Sequence, residues 1–132
     1  MANIDEIVHA SLLVKDTARS LAFYRDLLGL AIDPQRPELG FPGAWLQVGA
    51  QQIHLLELPS PDPVANRPEH GGRDRHVAFA VGDLDALAAS LEAGGVAYSR
   101  SRSGRRALFC RDPDGNALEF IERQGSLGPT HP

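Results

Sequence analysis

Cysteine is nearly missing. Cys110 is the single cysteine among 132 residues, so no internal disulfide can form and the composition suits a reducing compartment. No apolar run approaches the ~18 residues a membrane span requires. The opening Met-Ala-Asn-Ile-Asp-Glu lacks the basic, then apolar, then small-residue order of a secretory leader. An excess of positive charge is also absent. Thirteen basic side chains against seventeen acidic ones give a net charge of −4, which argues against a general electrostatic grip on nucleic acid. There is no Gly-rich phosphate loop, no nucleophile elbow and no CxxC. With 42% hydrophobic and 23% charged residues, the chain is neither a disordered tail nor a fibre. The expectation is a cytoplasmic single domain over residues 1–132 that handles a small molecule, with no nucleic-acid or membrane partner.

What is present is a repeat. His9-Ala-Ser-Leu-Leu-Val-Lys-Asp16 returns as His76-Val-Ala-Phe-Ala-Val-Gly-Asp83, shifted by 67 positions. Ile53-His54-Leu55-Leu56-Glu57 returns as Leu118-Glu119-Phe120-Ile121-Glu122, shifted by 65. The same unit is therefore written twice, as module 1 over about 6–58 and module 2 over about 74–123, with a tail at 124–132. The segment 59–73 between them carries Pro59, Pro61, Pro63, Pro68, Gly71 and Gly72, a linker composition that interrupts any regular ladder.

Each module reads as a strand, a helix and three further strands. Residues 6–14 alternate without helix punctuation and predict a strand. Asp16 or Thr17 then caps a helix bearing Leu21, Tyr24 and Leu28 on one stripe, ended by Gly29. In module 2, Leu84, Leu87, Ala88 and Leu91 recur at helical spacing until Gly94-Gly95. The remaining strands are expected at about 30–34, 44–48 and 51–58, then at about 96–100, 106–111 and 117–123. Gly49-Ala50 fits a type II′ hairpin turn, and Asp112-Pro-Asp-Gly-Asn116 a longer turn with Gly115 left-handed.

On these residues the chain resembles the vicinal-oxygen-chelate superfamily, the glyoxalase/bleomycin-resistance/dioxygenase family. The resemblance runs over 6–123 and is carried by His9 with Val14-Lys-Asp16, Phe23-Tyr-Arg-Asp-Leu-Leu-Gly29, Arg75-His-Val-Ala-Phe-Ala-Val81, and Asp112-Pro-Asp-Gly-Asn116 leading into Leu118-Glu-Phe-Ile-Glu122. It implies an α+β fold of two βαβββ modules, eight strands forming an incomplete barrel around a divalent metal. It also implies a homodimer, whose subunit contacts would cover exposed sheet edges. It does not by itself name a reaction.

Strand alternation sorts the polar residues. Ala10, Leu12 and Val14 share one face of the first strand, and His9, Ser11 and Leu13 the other; likewise Val77, Phe79 and Val81 oppose His76, Ala78 and Ala80. One face is bulky and suited to the helices, while the other carries a histidine among smaller residues. By the repeat, His9 answers to His76 and His54 to Glu119. Imidazole nitrogens with one carboxylate suit a borderline divalent ion such as Zn, Ni, Co, Fe or Mn. In glyoxalase I and its relatives the matching four positions hold the metal, so the resemblance carries over His9, His54, His76 and Glu119 as ligands, with Glu119 also a catalytic base. Position 54 departs from glyoxalase I, which commonly has a glutamate there. A site with His54 keeps one carboxylate base instead of two opposed ones.

Around this set, Trp45 is expected opposite His54, where it either walls the substrate site or packs the core. Arg106, alternating with Leu108 and Cys110, is expected on Glu119's side and able to hold an anionic substrate group, unless a bulge near 112–116 reverses it. Cys110 reads as a buried hydrophobe, His70 and His131 as solvated, and Glu57 and Glu122 as facing away from the ligands. The functions implied are a glyoxalase-like metal-dependent lyase, isomerase or epimerase; alternatively a ring-cleaving dioxygenase using His9, His76 and Glu119; alternatively an antibiotic-resistance thiol transferase or drug-binding protein.

Overall fold

The computed structural model describes residues 2–123; the tail 124–132 with His131 lies outside the described residues. The chain forms two compact units, Met1–Asp62 and Pro63–Pro132, each built on one βαβββ module.

The first unit contains β1 (His9–Val14), α1 (Thr17–Leu21), β2 (Ala31–Ile32), β3 (Gly43–Val48) and β4 (Gln51–Glu57). Its strands lie in the order β1-β4-β3-β2, with β1 parallel to β4 and the other pairs antiparallel. The second unit repeats this with β5 (His76–Val81), α2 (Leu84–Ala93), β6 (Tyr98–Arg100), β7 (Ala107–Arg111) and β8 (Ala117–Glu122), in the order β5-β8-β7-β6. The class is α+β, two four-stranded sheet modules with a helix in each. No helix among the described residues is long and apolar enough to cross a membrane.

Register settles which side chains share a face. In the first sheet Ser11, His54 and Trp45 are cross-strand neighbours, as are His9, Gln52 and Gln47. The opposite face holds Val14, Ala44, Leu46, Ile53 and Leu55, all buried. In the second sheet Ala78, Glu119 and Phe109 are neighbours, and His76 sits beside Ala117. Its other face carries Phe79, Leu108, Cys110, Leu118 and Phe120, again buried. Gly43 permits the close approach of β3 to β4, because a Cβ there would collide with the Leu55 carbonyl oxygen.

The helices start by the same device in both units. Asp16 and Asp83 are the N-caps, accepting from Arg19 N–H and Ala86 N–H. Glu57 and Glu122, at the ends of β4 and β8, accept from the first-turn amides of Thr17 (2.8 Å) and Leu84 (3.0 Å). Orphan donors at a helix start are thereby satisfied by the strand beneath it. This is why both carboxylates face away from the candidate ligands.

The first helix departs from the expected stripe. After Leu21 the backbone widens into a π-turn over Ala22–Leu27, with Leu28 N–H donating to Phe23 C=O at 2.9 Å. A π-turn takes more residues per turn than an α-helix. Both Phe23 and Tyr24 are buried as a result, while Leu28 is only partly so. Gly29 closes the element with φ +81, and Gly49 opens the β3–β4 hairpin with φ +59, as a II′ turn requires. The first strand is shorter than expected. It begins at His9, because the hairpin places Gln52 opposite His9 and leaves only the Gln52 N–H to Val8 bond beyond.

These faces predict contrasting costs for adjacent residues. Leu46→Ala removes a fully buried side chain and should cost about 2–5 kcal/mol. Gln47→Ala, on the exposed opposite face, should cost about 1 kcal/mol or less. Urea denaturation of the two variants measures both.

Candidate functional site

In the second unit, His76 and Glu119 stand side by side on β5 and β8. His76 Nε2 lies 3.1 Å from Glu119 Oε1, and its Nδ1 lies 2.9 Å from the backbone carbonyl of Asp74. A carbonyl oxygen only accepts, so Nδ1 must carry the proton. In a neutral ring Nε2 then has a lone pair aimed at a carboxylate oxygen. Two acceptors at that distance require a positive charge between them, a proton or a metal ion. A histidine that donates its second nitrogen to a carbonyl has the arrangement common to metal-ligating imidazoles. The residues therefore fit a divalent cation. Glu119 is buried at 4% exposure, and Arg105 Nη2 donates to its Oε2 at 2.8 Å.

The carbonyl that orients His76 belongs to a clamped residue. Asp74 Oδ2 accepts from Arg67 Nε (2.9 Å) and Arg111 Nη1 (2.8 Å). Arg111 also donates to Gly115 C=O and Pro68 C=O, tying the 112–116 turn and the linker to the start of β5. Arg111 and then Arg67 hold the Asp74 carboxyl down at about 2, against the opposing effect of burial. Asp112 organises the turn, accepting from the amides of Asp114 and Asn116 at 2.8 and 2.9 Å.

In the first unit, three rings form a stack across β3, β4 and β1. Trp45 lies on His54 with centroids 4.3 Å apart and planes at 6°, and His9 lies on the other face of His54 at 3.9 Å and 12°. Trp45 is thus the cross-strand neighbour of His54. An ion lies near the plane of the imidazole that binds it, at about 2.0–2.1 Å for zinc. Parallel stacked rings cannot both meet that condition, so His9 and His54 ligate one ion only if His9 tilts out of the stack. His54 Nε2 lies 2.8 Å from Gln52 Oε1. Burial lowers the His54 pKa first, then the positive charges of His9 and Arg36, with Asp33 opposing.

Each unit thus supplies a pair, His9 with His54 and His76 with Glu119. Among the described residues, no three His, Cys, Asp or Glu side chains group as a metal site.

Arg106 is not on Glu119's side. Leu108 pairs with Phe120 and Phe109 with Glu119 without a bulge, which turns Arg106 toward the helix face. There it binds Glu122 at 2.9 Å and Asp85 at 3.3 Å. The arginine at the carboxylate is its neighbour Arg105, in step with Ala107 and Phe109; the expectation took the wrong face of β7, because Glu119 pairs with Phe109 and the face of Leu108 and Cys110 is the opposite one. His70, expected in solvent, instead accepts from Gly72 N–H through Nδ1 at 3.0 Å. Its ring lies 4.7 Å from Phe109, and its Nε2 is buried with no hydrogen-bond partner among the described residues. Cys110 is buried, which pushes its thiol up to about 12, so it carries no thiolate at neutral pH.

Two βαβββ modules in one chain, one carrying His9 and His54 and the other His76 and Glu119 on a sheet face, are what the vicinal-oxygen-chelate resemblance implies. The profile of the Glyoxalase/Bleomycin resistance protein/Dioxygenase superfamily matches residues 6–120, and the chain belongs to that superfamily. It is 33% identical over 130 residues to the uncharacterized protein YaeR of Escherichia coli (strain K12), covering 93% of this chain and 100% of that one. It is 31% identical to a lactoylglutathione lyase of Haemophilus influenzae, over 92% of this chain and 95% of the relative. A glutathione transferase FosA of Serratia marcescens matches at 28% over 89% and 80%. The crystal structure of a lactoylglutathione lyase from Agrobacterium tumefaciens superposes with a TM-score of 0.65 at 26% identity, covering 93% of this chain and 97% of that chain.

The Asp74 clamp has a pH signature. Its carboxyl is more acidic folded than unfolded, so its stabilisation is full above the ordinary carboxylate range and is lost as pH falls from about 4 toward about 2. Asp74→Asn should cost about 2 kcal/mol at neutral pH. The gap between variant and wild type in urea denaturation should close across that acid window.

Proposed function

We propose that the chain is a divalent-metal-dependent enzyme of glyoxalase type, a lyase or isomerase acting on a small substrate with adjacent oxygens such as a thiol–aldehyde adduct. The proposed ligands are His9, His54, His76 and Glu119, two from each unit. The observation that carries this reading is the approach of His76 Nε2 to Glu119 Oε1 at 3.1 Å, which a divalent ion between them would satisfy as a proton does. The relatives named lactoylglutathione lyase support the substrate class.

A bound divalent ion would supply Lewis-acid polarisation of the substrate's oxygens. Glu119 serves as the base that takes a proton from the carbon beside them and returns it to the neighbouring position. Its burial keeps bulk water from competing for that proton. Asp74, through its carbonyl, holds the His76 ring in place. Trp45 offers an aromatic face beside His54 for the apolar part of the substrate. Arg105, half exposed, can leave Glu119 and meet an anionic group of the substrate. The chain is proposed to act as a homodimer, which light scattering would read.

One observation favours a second reading, thiol transfer to a phosphonate antibiotic: a guanidinium sits on the one carboxylate, next to where an anionic substrate would lie. The FosA relative supports it.

Elemental analysis of protein purified without added metal, followed by assay with a hemithioacetal, tests the first reading. Nickel, cobalt or zinc with turnover is expected. Glu119→Gln should lower turnover by at least about a hundredfold, as loss of a general base does. Conjugation of a thiol to a phosphonate without hemithioacetal turnover would favour the second reading. Absence of bound metal and of both activities would overturn both.

A further inference from the structure

Arg36 is a cation that the first unit holds in place without giving it an anion. It sits in the loop between β2 and β3, which is pinned at both ends. Asp33 N–H donates to Trp45 C=O at 2.8 Å, and Glu57 N–H donates to Pro42 C=O at 3.0 Å. Within the loop, Arg36 Nη2 donates to Phe41 C=O at 2.8 Å, and the guanidinium carbon lies 5.3 Å from the centre of the Phe41 ring. The same Nη2 rests against Gly43, 3.0 Å from the place where a Cβ would stand. By strand alternation Gly43 shares a face of β3 with Trp45, the residue that pairs with His54. The guanidinium therefore borders the face that carries the indole.

Its charge is left over. Arg36 is half-buried, its Nε is buried with no hydrogen-bond partner, and among the described residues no carboxylate pairs with it. The two acidic groups of the loop are engaged elsewhere. Asp33 accepts from Gln35 N–H (2.9 Å) and from Gln52 Nε2 (2.8 Å), and Glu38 accepts from Gly40 N–H (2.8 Å). A partly buried cation ordinarily has a counter-charge. Of the three guanidinium nitrogens, Nη1 is the one that is neither shut in nor bonded within the chain.

We propose that Arg36 is the anion-holding residue of a ligand site on the first unit, taking the carboxylate or phosphoryl group of a small molecule whose flat apolar part lies against Trp45. A guanidinium is the side chain best matched to such oxyanions. Phe41 already fixes its direction, so little side-chain freedom is lost on binding. Trp45 has His54 on one face of its ring and is only partly buried, so part of the indole is open to a ligand. The site uses residues of one unit and requires no metal ion. It differs from the Arg105–Glu119 contact in having no carboxylate to displace before an anion binds.

Trp45 is the one tryptophan of the chain, so the fluorescence of the whole protein reports on it. Phenylphosphonate or benzoate should give a saturable change, and the tighter of the two names the preferred oxyanion. Benzyl alcohol, with the ring but no charge, should give none, and inorganic phosphate should saturate only at higher concentration. Arg36→Gln should weaken the better anion about 10- to 100-fold, as loss of a hydrogen bond to a charged group does. Arg25→Gln, which removes the same charge from the helix surface, should leave its affinity unchanged. Nitrogen-15 NMR of the wild type makes the test independent of how the variant folds, because the Arg36 Nε–H signal should shift as the anion is added. Equal affinity in Arg36→Gln, an equal response to benzyl alcohol, an unmoved Arg36 signal, or no saturable response to either anion would overturn the proposal. The response should persist in protein stripped with EDTA; one that EDTA abolishes would assign the anion to a metal ion and overturn it too.

Discussion

His76 and Glu119 face each other with acceptors, and the function proposed here follows from that contact. The Asp74 carbonyl takes the Nδ1 proton of His76, so a second positive charge, a proton or a metal ion, must stand between Nε2 and the buried carboxylate. Here one carboxylate oxygen has a donor, Arg105, and the other has a nitrogen that requires an added positive charge. The Asp74 clamp, the Arg111 tether and the 112–116 turn all serve to keep that nitrogen where it is. A large share of the second unit's polar network therefore converges on one imidazole.

The first unit holds its imidazole differently. The His54 ring hydrogen-bonds to a side chain, Gln52, which is itself held by Gln47 and Asp33, and it lies between Trp45 and His9. An amide network on an exposed sheet face is easier to alter than a backbone carbonyl, because one substitution changes the acceptor. The repeat has kept the strand positions of the four polar residues while the hydrogen-bond partners of the two imidazoles, Gln52 in one half and the Asp74 carbonyl in the other, differ.

Much of this was legible in the sequence because it follows from period-two alternation and repeat equivalence. The Trp45–His54 register, the outward turn of Glu57 and Glu122, and the shared face of His76 and Glu119 needed only strand parity and a two-residue turn at Gly49-Ala50. Alternation alone does not say which face of β7 meets Glu119. That depends on the register across the 112–116 turn, which pairs Glu119 with Phe109 and so puts Arg105, not Arg106, on its side. The π-turn was hidden because the stripe of Leu21, Tyr24 and Leu28 is a legitimate α-helical pattern, and only packing shows both Phe23 and Tyr24 turned inward. His70 sits in a Pro- and Gly-rich stretch that reads as solvent, yet a three-residue 3₁₀ turn over Gly71–Arg73 brings its ring to Phe109. Tautomers are not written in sequence at all. They follow from hydrogen-bond chains whose links, such as Asp33 to Gln52, are far apart in order and close only in space.

The central claim is that a cation belongs between His76 and Glu119, and anomalous diffraction at the zinc edge from a crystal soaked in dilute zinc addresses it most directly. The account predicts an anomalous peak at about 2.0–2.2 Å from His76 Nε2 and from a Glu119 carboxylate oxygen, with Arg105 displaced from that carboxylate. A map with no peak there, and His76 still 3.1 Å from Glu119, would contradict it.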